Sequence, residues 1–249
     1  GVTRVCVYAK RLGIQSHLPC YPSLALGSAG VTLLEMTGVY GVFANDGIYT
    51  EPLFITKIVN RYGQVVEEHL QRAWRATTPE VAYTMTSLME SVVQQGTAQR
   101  VKALERPAAG KTGTTNDFND AWFIGYTPEI VAGVWVGLDD HTPLGRRETG
   151  GTVASPIWLA FMQAALDGQP RMDFTIPPGI RFVRQGGKRG VPSMPWDPDE
   201  VANFEVLIDE EYTPEGLPSE NRKGTPKLPR EPRPENNAAV TRLPESPPS

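Results

Sequence analysis

A lysine set between glycines and followed by hydroxyl side chains, Gly110-Lys111-Thr112-Gly113-Thr114-Thr115, is the stretch of this 249-residue chain best equipped for chemistry. Lys111 offers a compact positive charge, and Thr112, Thr114 and Thr115 offer hydroxyls that donate and accept. Gly113 lets a ligand or another backbone approach closely. Two mechanisms compete for these letters. A phosphate loop needs Gly-x-x-x-x-Gly-Lys-Thr opening a helix, so that backbone N–H groups and the helix N-terminus hold the anion. Its first glycine would fall at position 105, where Glu105 stands. The residues after Thr115 also oppose a helix: Asn116, Asp117 and Asn119 favour a turn, and Trp122 through Tyr126 favour a strand. The stretch therefore reads as a cationic site on a strand.

The flanking sequence narrows this reading. Asp120-Ala121-Trp122-Phe123-Ile124-Gly125-Tyr126 follows the lysine, then Gly133-Val134-Trp135-Val136-Gly137, Glu148-Thr149-Gly150-Gly151 and Pro156-Ile157-Trp158. Together these resemble the transpeptidase domain of class A penicillin-binding proteins, over residues 1–166. The resemblance implies a serine acyl-transfer enzyme in which Lys-Thr-Gly forms one wall of the site. It also implies a role for each residue of that wall. Lys111 would supply positive potential to a serine–lysine cluster, and Thr112 would bond the substrate's terminal carboxylate. Gly113 would give clearance, and the Thr114 N–H would serve as an oxyanion donor. Thr114 and Thr115 would join Thr112 in binding substrate. Peptidoglycan stem peptides and β-lactams are the implied ligands, lying along the strand by strand addition. No cofactor or metal is implied, since the acyl-enzyme route needs none.

The family's other two motifs are missing. No serine of the chain has a lysine three positions on, so Ser-x-x-Lys is absent. Ser219-Glu220-Asn221 spells Ser-x-Asn but follows Lys-Thr-Gly and sits among prolines and charges. The chain is expected to be the C-terminal part of such an enzyme, inactive alone, with the nucleophile in an upstream half of the same domain. Two alternatives stand beside this: a non-catalytic module of the same fold that binds peptide or a partner, and a β-lactamase or D,D-carboxypeptidase relative.

The elements that must position the lysine follow from periodicity and punctuation. Helices are expected over residues 2–12, 32–45, 77–95 and 154–166, and a hairpin around Asn60-Arg61-Tyr62-Gly63. Residues 23–28 read as a buried turn or short strand. Apolar stripes are expected to face the core at Leu33, Leu34, Met36, Val39, Tyr40 and Phe43, and again at Ile157, Trp158, Phe161, Met162 and Ala165. Strands are expected over 108–114, 121–127 and 130–138, the last two antiparallel across Pro128-Glu129. The fold class is α+β, an antiparallel sheet flanked by helices.

Composition sets the remaining limits. Fifteen of the 23 prolines follow Gly168, so residues 167–249 read as a proline-rich tail with short extended pieces at 180–184 and 204–208, then disorder. A net charge of −4 provides no basic field for nucleic acid. No apolar run reaches the 18 or so residues that span a bilayer; the resemblance implies the periplasmic face of a bacterial inner membrane, with the anchor outside these residues. His17, His69 and His141 are scattered among polar or turn residues and suggest no metal site. Cys6 and Cys20 fit either a free pair or one bridge, and two thiols are expected.

Overall fold

A computed structural model describes residues 1–184 and 204–208. The expected elements form, with caps that explain their ends. Helix α1, Val2–Arg11, finishes with Lys10 and Arg11 beside the C-terminal carbonyls, where positive charge is favourable. Helix α2, Leu33–Ala44, starts on a reciprocal box: Thr32 accepts from the Glu35 N–H and the Glu35 carboxylate returns to the Thr32 N–H. Helix α3, Pro79–Gln94, has Thr78 as its cap, accepting from Val81, and a proline at its first position. Helix α4, Ser155–Ala165, continues a π turn at Gly150–Ala154.

Between α2 and α3 lie four short strands: β1 Ile48–Thr50, β2 Lys57–Val59, β3 Val65–Glu68 and β4 Ala73–Arg75. Strands β2 and β3 make the expected hairpin, with Asn60 Oδ1 accepting from the Tyr62 and Gln64 amides at its tip. The β1–β4 ladder was not foreseen, because three residues are too few to display alternation. Side chains seal it. Tyr49 and Trp74 lie with ring centroids 4.4 Å apart, and the Trp74 indole donates to the Arg11 carbonyl at 3.0 Å.

The central sheet is β5 (Ala109–Thr114), β6 (Asp120–Tyr126) and β7 (Val131–Gly137), antiparallel in that order. Its two faces follow from the pairing. Thr112 pairs with Phe123 and Phe123 with Val134, so these share a face. Here Phe123, Trp158 and Met162 are fully buried with Val101 and Val93, beneath α4 and the 3-10 turn Gln99–Leu104. On the other face Ala109, Tyr126 and Met89 pack with Tyr40, Met85 and Phe174, beneath α2 and α3. The Tyr126 and Thr86 hydroxyls bond at 2.8 Å, so the buried phenol keeps a polar partner. Beyond α4, Arg106 donates to the carbonyls of Leu166, Gln169 and Pro170, tying the chain that leaves the helix. Strands β8 (Ile180–Arg184) and β9 (Phe204–Ile208) pair antiparallel, in agreement with the extended pieces read from the sequence. The reading of the chain after residue 208 lies outside the described residues, as does Ser219-Glu220-Asn221.

Four expectations are corrected. Cys6 and Cys20 form a disulfide rather than two thiols. The folded loop after α1 returns Cys20 to the helix, a proximity that spacing alone could not reveal. Residues 22–26 are a 3-10 turn begun by Pro22, neither strand nor buried, and Leu26 is 90% exposed. On α2 the buried residues are Val39 and Val42, while Leu34 is exposed. This helix is covered on several sides: Met36 packs with α1, Tyr40 with the sheet, and Val42 with Tyr49. A single stripe therefore misdescribes it. On α4, Trp158 and Met162 are buried but Ile157 and Phe161 stay exposed, because the sheet covers only the arc carrying Ser155, Trp158 and Met162.

Glu35 joins the N-terminal loop to α2. Its carboxylate accepts from the Gln15 and Ser16 amides, the Ser16 hydroxyl, and the Thr32 amide and hydroxyl, at 2.6–3.1 Å. Partial loss of water pushes its pKa upward, but the bonds to Ser16, Thr32 and Gln15 outweigh this and hold it at about 2. A carboxyl with a depressed pKa contributes stability above its ordinary value of 4.5 and loses it as pH falls through about 2. Glu35→Gln should cost about 1 kcal/mol at neutral pH, the low end for a charged acceptor because the site is partly open to water. The gap between the two proteins in thermal unfolding should close as the pH is lowered from 5 towards about 2, and a gap constant with pH would contradict the assignment.

Candidate active site

The six residues of the Lys-Thr-Gly stretch divide between a strand and a turn. Residues 110–114 lie in β5, whose other side pairs with no strand among the described residues. Thr115 begins the β5–β6 turn, where its hydroxyl oxygen accepts from the Asn119 and Asp120 amides, both at 3.0 Å. That oxygen is occupied by the turn, and the Thr115 hydroxyl proton is still free to donate.

Alternation distributes the β5 side chains. Thr112 and Thr114 share the face that carries Phe123, while Lys111 and Gly113 point the other way, opposite Ile124 and Trp122. Lys111 is exposed, and its ammonium donates to the Thr112 carbonyl at 2.9 Å. The end of the strand is stiffened from its neighbours. Asp120 on β6 accepts from the Trp135 indole on the neighbouring β7 at 2.8 Å.

Each threonine hydroxyl on the shared face has one partner from a different loop. The Thr112 Oγ1 lies 2.6 Å from the Thr97 Oγ1, in the connection between α3 and the following 3-10 turn. The Thr114 Oγ1 accepts from the Gly150 N–H at 3.1 Å, at the start of the π turn. Two separate loops thus converge on the strand. No spacing signal linked Thr97 to Thr112, because the pairing is tertiary.

Gly150 is pressed against the strand. A Cβ there would lie 2.1 Å from the Trp122 carbonyl oxygen and 2.7 Å from that of Gly113, both backbone atoms that cannot swing aside. The Glu148-Thr149-Gly150-Gly151 segment therefore does more than introduce α4, since it abuts the Lys-Thr-Gly backbone. A cavity of about 450 Å³ lies elsewhere, between α2, β1 and the β6–β7 turn, lined by Leu34, Gly41, Pro52 and Ile130. The threonine hydroxyls and the lysine instead border an open strand edge. Such an edge can hydrogen-bond an extended ligand through its backbone, and it offers two hydroxyls to an anionic group.

The chain is similar to several known proteins. The family model described as the penicillin binding protein transpeptidase domain matches residues 21–163. Penicillin-binding protein 1A of Aquifex aeolicus is 43% identical over 178 residues, covering 72% of this chain and 24% of that protein. Penicillin-binding protein 1A of Pseudomonas aeruginosa is 36% identical over 280 residues, covering 91% of this chain and 34% of the other. Among solved structures, penicillin-binding protein 1A from Haemophilus influenzae is similar with a TM-score of 0.72 and 26% identity, over 84% of this chain and 36% of that one. An imipenem acyl-enzyme complex of penicillin-binding protein A from Mycobacterium tuberculosis is similar with a TM-score of 0.54 and 25% identity, over 64% and 41% of the respective chains. The chain thus spans 24% and 34% of the length of the two relatives named first.

The close approach at Gly150 generates a test of the wall's construction. Gly150→Ala should destabilise the protein by about 1–3 kcal/mol, the range for overpacking where backbone must move. Gly30→Ala, where no atom lies within 4 Å of the added Cβ, should stay within about 0.5 kcal/mol of the parent. Thermal melts of both variants read this directly, and equal melts would remove the claim that Gly150 is pinned.

Proposed function

The chain belongs to the penicillin-binding protein transpeptidase family, and from that premise we propose that it forms the Lys-Thr-Gly wall of a serine D,D-transpeptidase that cross-links peptidoglycan. The observation that carries the proposal is the edge of β5 that pairs with no strand among the described residues, with Lys111 exposed and the Thr112 and Thr114 hydroxyls on one shared face. A stem peptide ending in D-Ala-D-Ala lies along this edge as an added strand, and a β-lactam occupies the same place.

The chemistry divides between this chain and residues preceding it. The nucleophilic serine, its lysine and the Ser-x-Asn motif come from an upstream half of the domain, since Ser-x-x-Lys does not occur in the 249 residues. The serine oxygen attacks the penultimate D-alanine carbonyl, its proton passes to the basic cluster, and the terminal D-alanine leaves with a proton on its nitrogen. An amine on a neighbouring strand then takes the acyl group and frees the serine. Within this cycle Lys111 supplies positive potential that favours transfer of the serine proton. The Thr112 and Thr114 hydroxyls bind the carboxylate, and the Thr115 hydroxyl proton lies at the rim of the same site. The Thr114 N–H points at the developing oxyanion and Gly113 leaves clearance for the peptide.

Two further parts of the proposal concern the longer protein. It faces the bacterial periplasm through an anchor outside these residues; among the described residues no helix is long and apolar enough to cross a membrane. A peptidoglycan glycosyltransferase domain precedes the transpeptidase. Residues 167–249 form a segment separate in role from the catalytic portion at 1–166.

Intact-mass detection after incubation with a fluorescent penicillin tests the division of labour. The chain alone should remain unlabelled, and the protein made with its preceding sequence should gain one adduct on a serine outside these 249 residues. An adduct on the chain alone would place a nucleophile among its own serines. Absence of an adduct from both folded samples would favour a non-catalytic binding module.

A further inference from the structure

The Thr97 side chain lies outside β5, yet its Oγ1 is 2.6 Å from that of Thr112. Its backbone is held firmly. Ala98 is fully buried in the core beneath α4, and the Gly96 and Ala98 amides both donate to the Val92 carbonyl at the end of α3. The Thr97 carbonyl is also in close contact with the second loop of the site: a Cβ on Gly151 would come within 2.6 Å of its oxygen. An exposed hydroxyl is thus fixed by buried neighbours and aimed at a threonine on the strand edge.

Hydroxyl arithmetic gives this contact a direction. Each threonine has one O–H to donate and two lone pairs to accept with. With no ligand present, either hydroxyl can be the donor. Once Thr112 donates its proton to an anion, the contact survives only if Thr97 donates to Thr112. We propose that Thr97 is a positioning residue that orients and polarises the Thr112 hydroxyl for a substrate carboxylate, through a directed chain from Thr97 to Thr112 to the carboxylate oxygen. This rests on the transpeptidase reading of the site. Hydrogen bonds in such a chain reinforce one another, and the last of them is charge-assisted.

Three features follow from the mechanism and from no general stabilising role. The effect of Thr97 must act on ligand binding more than on the acylation step. It must require a free carboxylate on the ligand. It must vanish when the Thr112 hydroxyl is gone, because coupled residues are non-additive.

The experiment measures acylation by a fluorescent penicillin, and by its methyl ester, for the protein made with its preceding sequence. The concentration dependence separates the binding constant from the acylation rate constant. Thr97→Val fits an exposed position, and it should weaken binding of the free acid about ten-fold, the order expected for one hydrogen bond to a charged system. Thr97→Ser should restore binding to within about two-fold of the parent, since it keeps the donor. Thr97→Val should leave the methyl ester's kinetics unchanged, and adding it to Thr112→Val should cause no further loss. Thr97→Ala carries the same comparisons should valine disturb the loop. The inference is overturned if the parent is acylated and Thr97→Val matches it, if the losses at 97 and 112 multiply, or if the ester loses as much as the acid. A folded parent that acquires no label would overturn the transpeptidase reading and this inference with it.

Discussion

Burial of the Trp158 indole is the constraint on which the central part of the molecule depends. The side chain is fully enclosed, with its ring edge-on to Phe123 at 5.2 Å between centroids. An indole N–H removed from water must find an acceptor, and here it reaches two: the Gly125 carbonyl on β6 at 3.3 Å and the Ala132 carbonyl on β7 at 3.0 Å. One side chain of α4 therefore fixes the helix to two strands at once. The π turn that leads into α4 is the segment whose Gly150 meets the Thr114 hydroxyl and the Gly113 carbonyl. The geometry of the strand edge is thus set from beneath, by packing on the face where the threonines lie.

The opposite face is assembled differently. Helices α2 and α3 meet Tyr126 there; the Cys6–Cys20 bridge ties α1 to the loop that follows it, beside Val39, and the Glu35 carboxylate joins that loop to α2. A disulfide closing a loop of this short separation stabilises mainly by restricting the unfolded chain. The carboxylate stabilises the folded state directly. The two devices address different parts of the same loop, residues 13–20, which also buries Gly13, Ile14 and Leu18 and is held by the Lys10 ammonium donating to the Gln15 and Ser16 carbonyls.

Much of this architecture was legible because it is local. Thr78-Pro79 marks a helix start through a backbone amide and a fixed φ, and Asn60 to Gly63 marks a hairpin by the same kind of short-range chemistry. The Lys-Thr-Gly stretch and its context identified the family and placed Lys111, Thr112, Gly113 and Thr114 on a strand. What escaped the sequence is tertiary. Cys6 and Cys20 are brought together by a folded loop, and Thr97 meets Thr112 across 15 positions. Arg106 reaches carbonyls 60 to 64 positions away. The stripes on α2 and α4 were misjudged for a related reason. Periodicity finds which residues are apolar, but the neighbours decide how wide an arc is covered, and Leu34, Ile157 and Phe161 fall outside it.

The strict alternation along β5 has a consequence for how this sequence can vary. Thr112 and Thr114 face one way and Lys111 the other only because the ladder to β6 runs without a bulge from Ala109↔Tyr126 to Thr114↔Ala121. A one-residue slip of β5 against β6 would exchange the two faces, turning Lys111 towards Phe123 and both hydroxyls away. Substitutions leave that parity intact, and a length change in the exposed turn at residues 115–117, beyond the last pair, leaves it intact as well. Replacing letters in the strand or lengthening its turn therefore keeps the wall, whereas a slip of odd length in the pairing from Ala109 to Thr114 takes it apart in a single step.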